Sequence, residues 1–370
     1  MKLTMSVTGH GDHPAAWRAS SLARGPGRVP SYKGIARLAE EGGLDALFFL
    51  PPAGTPDRLL AGDGDALLLD SMPLIASLIA GTSRLGLGAT VYVAHTEPFH
   101  TARAFAVMDN LSAGRTAWVL DTEGAGQQEA DFAHAGMLDR AARYARAAEY
   151  IEVACKLWDS WEDGAVVADK ASGVFADSTK IHPINHAGSY FQVRGPLVAV
   201  RPIQGHPVIV MRDSSEEGLR LAAARAELFL TDRCDVAARL RDLAAARPRN
   251  ALSILLNVSA LLAPTTEGAR DRAARLDAMS DPAAVPDQTP RFVGTPADFV
   301  DHLVALLAAG DCDGFNILPA VLPDDAEQIV AEVLPLLRQR GLRPTTATAG
   351  TLREHLDLPR PVSVFAAQAA

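Results

Sequence analysis

The stretch PVIVMRDSSEEGLRLAAARAELFL, residues 207–230, contains one complete unit of the fold. Its two ends, Pro207–Met211 and Glu227–Leu230, have the length and the apolar character of buried strands. Between them, Ser215–Ala224 carries apolar residues at helical spacing, and its Ser-Ser-Glu-Glu start is typical of a helix N-terminus. A strand, a helix and a second strand in this order indicate two parallel strands joined by a crossover helix.

The same alternation continues on both sides of this unit. The other predicted strands are Leu3–Val7, Ala46–Leu50, Leu85–Val93, Thr116–Leu120, Leu252–Leu261 and Gly314–Leu318. The other predicted helices are Tyr32–Glu41, Pro73–Ala80, Thr101–Leu111, Ala141–Trp158, Asp235–Ala246 and Pro296–Ala309. Eight such units predict an α/β fold with a closed (β/α)8 TIM barrel. An open, doubly wound sheet is the alternative, but it usually begins with a Gly-rich turn that this N-terminal region lacks.

The length suits a single barrel domain over residues 1–370. Two insertions are predicted, at about 162–201 and 264–290, and a helix at Asp325–Arg340 precedes a C-terminal arm at about 341–370. The first insertion contains a short hairpin around Gly188–Val193. The second contains a charged helix, Glu267–Ala278, followed by a proline-rich linker. Loops this long are usually functional lids or binding segments.

Composition and charge exclude several classes of protein. There are 35 Lys and Arg against 44 Asp and Glu, a net charge of −9 without a basic cluster, so no nucleic-acid partner is expected. Cys155, Cys234 and Cys312 lie far apart and predict neither a zinc site nor a disulfide framework. The sequence has no signal-peptide pattern and no apolar run of about 20 residues. We therefore expect a soluble, cytoplasmic protein that does not bind membranes.

In a (β/α)8 barrel the chemistry lies at the C-terminal ends of the strands. This rule selects five segments: Thr8–His13, Pro51–Pro52, Ala94–Thr96, Asp121–Gly124 and Arg212–Ser215. The last segment opens a helix, where hydroxyls and backbone N–H groups suit a phosphate, although a plain N-cap explains the same residues.

Two further candidates have equally open interpretations. His10, Asp12 and His13 could handle protons or contact a substrate, or could belong to a solvated, Gly-rich loop; their spacing does not establish a metal site. Tyr144, beside Arg143 at the start of a long helix, could hold a phosphate or a ring edge, or could be a surface tyrosine.

Collinear motifs along nearly the whole chain carry a family resemblance. They are TGH (8–10), PAAWR (14–18), EPFHTAR (97–103), MDNLSAGR (108–115), RY (143–144), KLWDSWED (156–163), HPINHAG (182–188), FQVRGPL (191–197), QGHPVIV (204–210), SSE (214–216), DGFN (313–316) and TLREHL (351–356). In these motifs the chain resembles the bacterial-luciferase-like, flavin-dependent monooxygenases, in particular the nitrilotriacetate, pristinamycin IIA synthase and dibenzothiophene-sulfone monooxygenase family.

The resemblance implies a two-component monooxygenase. A separate flavin reductase supplies reduced FMN, molecular oxygen attacks it, and the resulting flavin peroxide oxygenates a small organic substrate. No metal is implied, and because such barrels often pair, a homodimer or larger homo-oligomer is expected. His10 and His13 are candidates for substrate-side proton transfer. The implied cofactor contacts are Tyr144, Ser214, Ser215, Arg212 (which would offset the charge of Asp213), Arg140, Val93 and Thr122.

Several positions depart from the family pattern. Pro51 stands where an Asp is common, Val93 where a Thr is common, Val119 for an Asn, Arg140 for a His and Arg212-Asp213 for Ala-Gly. Valine side chains cannot donate hydrogen bonds to a flavin ring. These changes keep two alternatives open. One is an F420-dependent or cofactor-free enzyme, and the other is a non-catalytic subunit that supports a catalytic homologue.

Overall fold

The fold is built on a closed barrel of eight parallel strands. The computed structural model describes residues 1–22, 28–50, 69–94, 96–122, 138–248, 251–280, 290–310, 312–344 and 350–365. Its strands are β1 Lys2–Val7, β2 Ala46–Phe49, β3 Gly86–Tyr92, β4 Thr116–Asp121, β5 Val166–Asp169, β6 Val174–Ala176, β7 His186–Ala187, β8 Gln192–Val193, β9 Val208–Met211, β10 Leu228–Thr231, β11 Ser253–Leu262, β12 Arg291–Gly294 and β13 Gly314–Pro319.

The barrel strands follow each other as β1, β2, β3, β4, β9, β10, β11 and β13, and β13 pairs with β1 to close the ring. The predicted barrel is therefore confirmed, and each of its eight predicted strands agrees with the structure to within one residue at either end. The ninth strand of the sheet, β12, pairs with the far end of β11 and was not predicted from the sequence.

The described residues form twelve α-helices, most of which pack around the outside of the barrel. They are α1 Ala16–Ala19, α2 Arg28–Gly42, α3 Ser71–Ile79, α4 Pro98–Leu111, α5 Arg140–Asp159, α6 Glu216–Arg225, α7 Cys234–Leu243, α8 Thr266–Met279, α9 Pro296–Ala308, α10 Asp324–Gln328, α11 Leu334–Gln339 and α12 Leu352–His355. The helix predicted at Asp325–Arg340 is confirmed as one continuous helical stretch formed by α10, a π-helical turn at Ile329–Val333 and α11, in which the π-helical turn interrupts the α-helical hydrogen bonding. Pro335 explains the interruption, since it lies in the first turn of α11 and has no N–H to donate. Within the described residues, none of the helices has the length and apolar character that crossing a bilayer requires.

The barrel interior is an apolar core of its own. Ala117 and Val119 of β4 alternate with outward-facing neighbours and pack inside with Phe48 of β2 and with residues of β9, β10 and β11. At Gly88 a Cβ atom would lie 2.3 Å from the Phe48 ring, so the missing side chain makes room for that ring. Leu352 of α12 belongs to the same cluster, and thus the C-terminal arm closes the barrel at the N-terminal ends of its strands.

The first insertion contains two hairpins. The predicted hairpin around residues 188–193 is confirmed as β7–β8, and a second one, β5–β6, precedes it. Glu149 of α5 holds the β7–β8 turn, because its carboxylate accepts the backbone N–H groups of Ser189, Tyr190 and Phe191 at 2.7–3.1 Å. The second insertion contains the predicted charged helix as α8, whereas residues 281–289 of the predicted linker lie outside the described residues.

Candidate functional site

Tyr144 lies in the second turn of α5, at the mouth of the barrel. Asp139 caps this helix by accepting the Ala142 N–H at 2.8 Å, which fixes where the helix begins. The Tyr144 hydroxyl donates a hydrogen bond to Asp213 Oδ2 and lies 2.9 Å from Ser215 Oγ. The side chain is buried, so the alternative interpretation of Tyr144 as a surface tyrosine does not describe its environment.

Asp213 is the centre of a hydrogen-bonded group of side chains from three segments of the chain. We call this group, which consists of Asp213, Thr122, Tyr144 and Ser215, the Asp213 cluster. Besides the bond from Tyr144, its carboxylate accepts a hydrogen bond from Thr122 Oγ1 at 3.2 Å and one from the Ser215 N–H at 2.8 Å. The carboxylate lies directly over the first turn of α6, where a Cβ atom on Gly218 would be 2.3 Å from Asp213 Cγ. This is where a helix favours negative charge, and here the protein places its own carboxylate in that position.

Ser214 and Ser215 differ in role although they are neighbours. Ser215 is the N-cap of α6, since its Oγ accepts the Gly218 N–H at 3.1 Å. Ser214 is exposed in the same turn. The capping interpretation of the Ser-Ser-Glu-Glu sequence therefore describes Ser215, and a ligand-binding role for either serine stays a prediction.

Two arginines near this cluster pair with other carboxylates. Arg212 Nη2 donates to Asp121 Oδ2 at 3.1 Å, whereas the sequence interpretation had Arg212 offset the charge of Asp213. The register of the barrel explains the difference, because Val119 of β4 faces Val210 of β9 and the same pairing two residues on brings Asp121 beside Arg212. Arg140 lies 3.2 Å from Glu217 Oε2, and its guanidinium is 5.8 Å from the centre of the Tyr144 ring.

A cavity of about 310 Å³ lies beside this cluster, at the C-terminal ends of β1, β2 and β3. Its wall consists of Val7, Tyr32, Phe49, Leu50, Leu69, Asp70, Ser71, Met72, Leu74, Thr90, Val91, Tyr92 and Thr96. Tyr92 at its edge is in register with Asp121 of β4. The cavity and the Asp213 cluster are thus neighbours along one rim of the barrel, and the volume is within the range of about 300–1,000 Å³ typical of small-molecule sites.

The predicted ring-side residues lie in packed surroundings. Val119 is fully buried in the barrel interior, and Val93 is almost fully buried beyond the end of β3. The Val93 carbonyl accepts a hydrogen bond from Arg146 of α5, whose guanidinium also lies 4.7 Å from the Phe191 ring centre. Pro51 and Gly124 lie outside the described residues.

His10 and His13 lie in the loop that follows β1, beside the cavity and across the barrel from Asp213. The His13 Nδ1 accepts the Ala15 N–H at 3.1 Å, and its Nε2 is 3.1 Å from Asp277 Oδ1 of α8. Gly11 holds this loop against the end of β13, because its φ is +140° and a Cβ atom there would lie 2.3 Å from the Ala320 carbonyl oxygen. His10 is buried in the same loop. Both histidines are at the mouth as expected, and their role in proton transfer stays a prediction.

A polar ladder inside the barrel was not identified from the sequence. Thr4 and Ser6 of β1 both donate to Asn316 Oδ1 of β13, at 2.9 and 3.2 Å. Asn316 Nδ2 donates to Asn257 Oδ1 of β11 at 2.8 Å, and Asn257 Nδ2 donates to Asp232 Oδ1 at 2.9 Å. Asp232 directly follows β10, so the strand-end rule that selected the other segments could also have selected this carboxylate.

Known proteins resemble this chain over nearly its whole length. The profile of the family "luciferase-like monooxygenase" matches residues 11–296. N-acetyl-S-(2-succino)cysteine monooxygenase of Bacillus subtilis (strain 168) is 31% identical over 435 residues, covering 99% of this chain and 98% of the relative. Nitrilotriacetate monooxygenase component A of Aminobacter aminovorans is 32% identical over 434 residues and 95% of each chain. A crystal structure of riboflavin lyase with modified FMN and its substrate riboflavin superimposes with a TM-score of 0.87 at 26% identity, covering 98% of this chain and 97% of the other.

Proposed function

We propose, because this chain belongs to the luciferase-like monooxygenase family, that it is the oxygenating component of a two-component, reduced-flavin-dependent monooxygenase. The family membership confirms the resemblance predicted from the sequence motifs. A separate reductase would supply reduced FMN, and this barrel would bind it together with molecular oxygen and a small organic substrate. The bound flavin would supply the electrons for oxygen activation, while the protein orients the reactants and excludes water.

The observation that supports this proposal most is the convergence of hydrogen-bond donors at the Asp213 cluster. The Thr122 hydroxyl, the Tyr144 hydroxyl and the Ser215 N–H come from three distant segments and point at one carboxylate. Donors gathered in this way at the N-terminus of a helix suit an oxygen-rich group at the end of a ligand. Tyr144, Thr122 and Ser215 would therefore hold the end of the flavin side chain.

The cavity beside the cluster fits the ring end of a flavin by its size and its apolar wall. The Thr90 hydroxyl donates to the Phe49 carbonyl at 2.8 Å, and the Ser71 hydroxyl donates to the Thr90 carbonyl at 2.8 Å, so both protons are used within the protein. Val93 and Val119 add no side-chain donors. The ring would consequently be held by shape and apolar contact more than by hydrogen bonds from these side chains.

The phosphate of FMN fits the Asp213 cluster less well than the flavin ring fits the cavity. The donors that a phosphate needs are present, but in this structure the Asp213 carboxylate accepts all three hydrogen bonds. A phosphate would gain these donors after the Asp213 side chain turns away. This arrangement also favours a second candidate function, a luciferase-like barrel with altered or no flavin use. A cofactor-free enzyme or a non-catalytic partner subunit needs no phosphate at this position, whereas an F420-dependent enzyme would have to place its own phosphate there, as FMN does.

Anaerobic calorimetric titration with reduced FMN tests the proposal. We expect binding, and we expect Tyr144→Phe to weaken it roughly 3- to 100-fold, which corresponds to the loss of one hydrogen bond of about 0.7–2.7 kcal/mol. Tyr190→Phe is the matched control, since Tyr190 lies in the β7–β8 hairpin outside the Asp213 cluster. The Tyr190→Phe variant should bind reduced FMN with the same affinity as the unmodified protein. Once oxygen is admitted, flavin reoxidation should follow a time course different from that of free reduced FMN.

Absence of binding at high-micromolar reduced FMN, and also at high-micromolar reduced riboflavin, would overturn the proposal. The same titration with F420 separates the candidates, because binding of F420 in place of FMN would support the second one. A chain that binds neither ligand, but that restores activity when mixed with a catalytic homologue, would support the non-catalytic subunit.

A further inference from the structure

The Asp213 carboxylate occupies the position of an anion within the site described above. It accepts hydrogen bonds from Thr122, Tyr144 and the Ser215 N–H, and it lies against the first turn of α6 at Gly218. We propose that Asp213 is a specificity-determining residue, and that it makes the site favour a flavin whose side chain ends in a hydroxyl over a flavin whose side chain ends in a phosphate. This inference rests on the proposed flavin function.

The charges around Asp213 support this assignment. The two guanidinium groups next to the turn each face a carboxylate of their own, Arg212 with Asp121 and Arg140 with Glu217. These five side chains together have three negative and two positive charges, a net charge of −1. A phosphate monoester adds about −1.5 to −2 at pH 7, and it would have to approach this negatively charged cluster. The repulsion between two like charges is stronger near a protein than in bulk water, because the effective dielectric constant there is lower.

Hydrogen-bond chemistry leads to the same conclusion. A phosphate accepts hydrogen bonds, so it competes with Asp213 for the donors of Thr122, Tyr144 and Ser215. A hydroxyl can donate to the Asp213 carboxylate and accept from a neighbouring donor at the same time. A hydroxyl-ended side chain therefore joins the existing network, whereas a phosphate has to displace the carboxylate from it.

The geometry of the turn also opposes displacement of the carboxylate. Asp213 Oδ1 accepts the Ser215 N–H at 2.8 Å, which ties the side chain to the N-cap of α6. The absence of a side chain at Gly218 gives the carboxyl group its place over the helix, because any Cβ atom there would collide with it. The turn and the first residues of α6 are thus shaped around this carboxylate.

The experiment compares reduced riboflavin with reduced FMN by anaerobic calorimetry. The unmodified protein should bind riboflavin at least as tightly as FMN. Asp213→Asn, which keeps the shape and removes the charge, should tighten FMN binding by about 10-fold or more and change riboflavin binding by less than about 3-fold. Asp235→Asn is the matched control, because it removes an equal charge from the start of α7, where Asp235 is exposed and paired with Arg233, and it should leave the ratio unchanged.

The outcomes separate this inference from the proposed function. If neither flavin binds to the unmodified protein or to either variant, the flavin function fails and the inference fails with it. If flavins bind but the unmodified protein greatly prefers FMN, or if Asp213→Asn leaves the FMN-to-riboflavin affinity ratio unchanged, then only the specificity role of Asp213 is overturned. The comparison of the two flavins on the unmodified protein needs no variant, so it decides the matter even if Asp213→Asn does not fold.

Discussion

At the scale of single residues, the groups in contact with the His206 ring set the pKa of this side chain. His206 precedes β9 at the end of the barrel opposite the mouth. Its Nε2 lies 3.0 Å from Asp159 Oδ1, and its ring packs against Trp158 at 5.5 Å between centres. Burial by itself would lower the pKa of His206, but the adjacent sulfur of Cys155 and the hydrogen bond to the Asp159 carboxylate together raise the pKa to about 9.

This raised pKa predicts a loss of stability at alkaline pH. The folded-state pKa lies above the unfolded value of about 6.5, so the protonated ring stabilises the fold fully below pH 6.5 and stops doing so as the pH rises through about 9. The free energy of unfolding in urea should fall over this window with a slope from this group of at most about 1.4 kcal/mol per pH unit. His206→Gln should show a flatter dependence, and an equal slope in both proteins would contradict the assignment.

At the scale of elements, the turn between β9 and α6 joins the end of β9, at the mouth of the barrel, to the N-terminus of α6. The sequence Ser-Ser-Glu-Glu predicted a helix start there and left a cap and a phosphate site as alternatives. The structure assigns the cap to Ser215. The sequence could not show that Asp213 would accept the hydrogen bonds of Tyr144 and Thr122, because those residues are 69 and 91 positions away along the chain.

The two serines of this turn provide a matched pair of variants. Ser215→Ala removes the acceptor of the Gly218 N–H, and we expect it to lower the free energy of unfolding by about 0.5–2 kcal/mol. Ser214→Ala changes an exposed side chain by the same atom and should stay within about 0.5 kcal/mol of the unmodified protein. Equal effects in urea denaturation would show that Ser215 does not cap α6.

At the scale of the whole molecule, the sequence predicted the buried strands of the barrel. It did not predict the exposed or edge strands, or the side-chain pairs that depend on the register between strands. The barrel strands are buried on both faces and read as continuous apolar runs, so they were located to within one residue. The strand β5 is exposed at every position, and β12 pairs with one end of β11, so neither has that pattern. The Arg212–Asp121 pair follows from the alignment of β4 with β9, which a single sequence does not give.

The proposed function requires that a flavin lie along the rim of the barrel, from the cavity at β3 to the Asp213 cluster. A crystal structure of the complex with reduced riboflavin or reduced FMN tests this most directly. We expect density for the flavin ring in the cavity beside Thr90 and Tyr92, and density for the end of the flavin side chain at about 3 Å from the Tyr144 hydroxyl and Ser215. Flavin density elsewhere on the barrel would contradict the proposed function. So would the absence of flavin density along the rim at flavin concentrations that saturate the protein in solution.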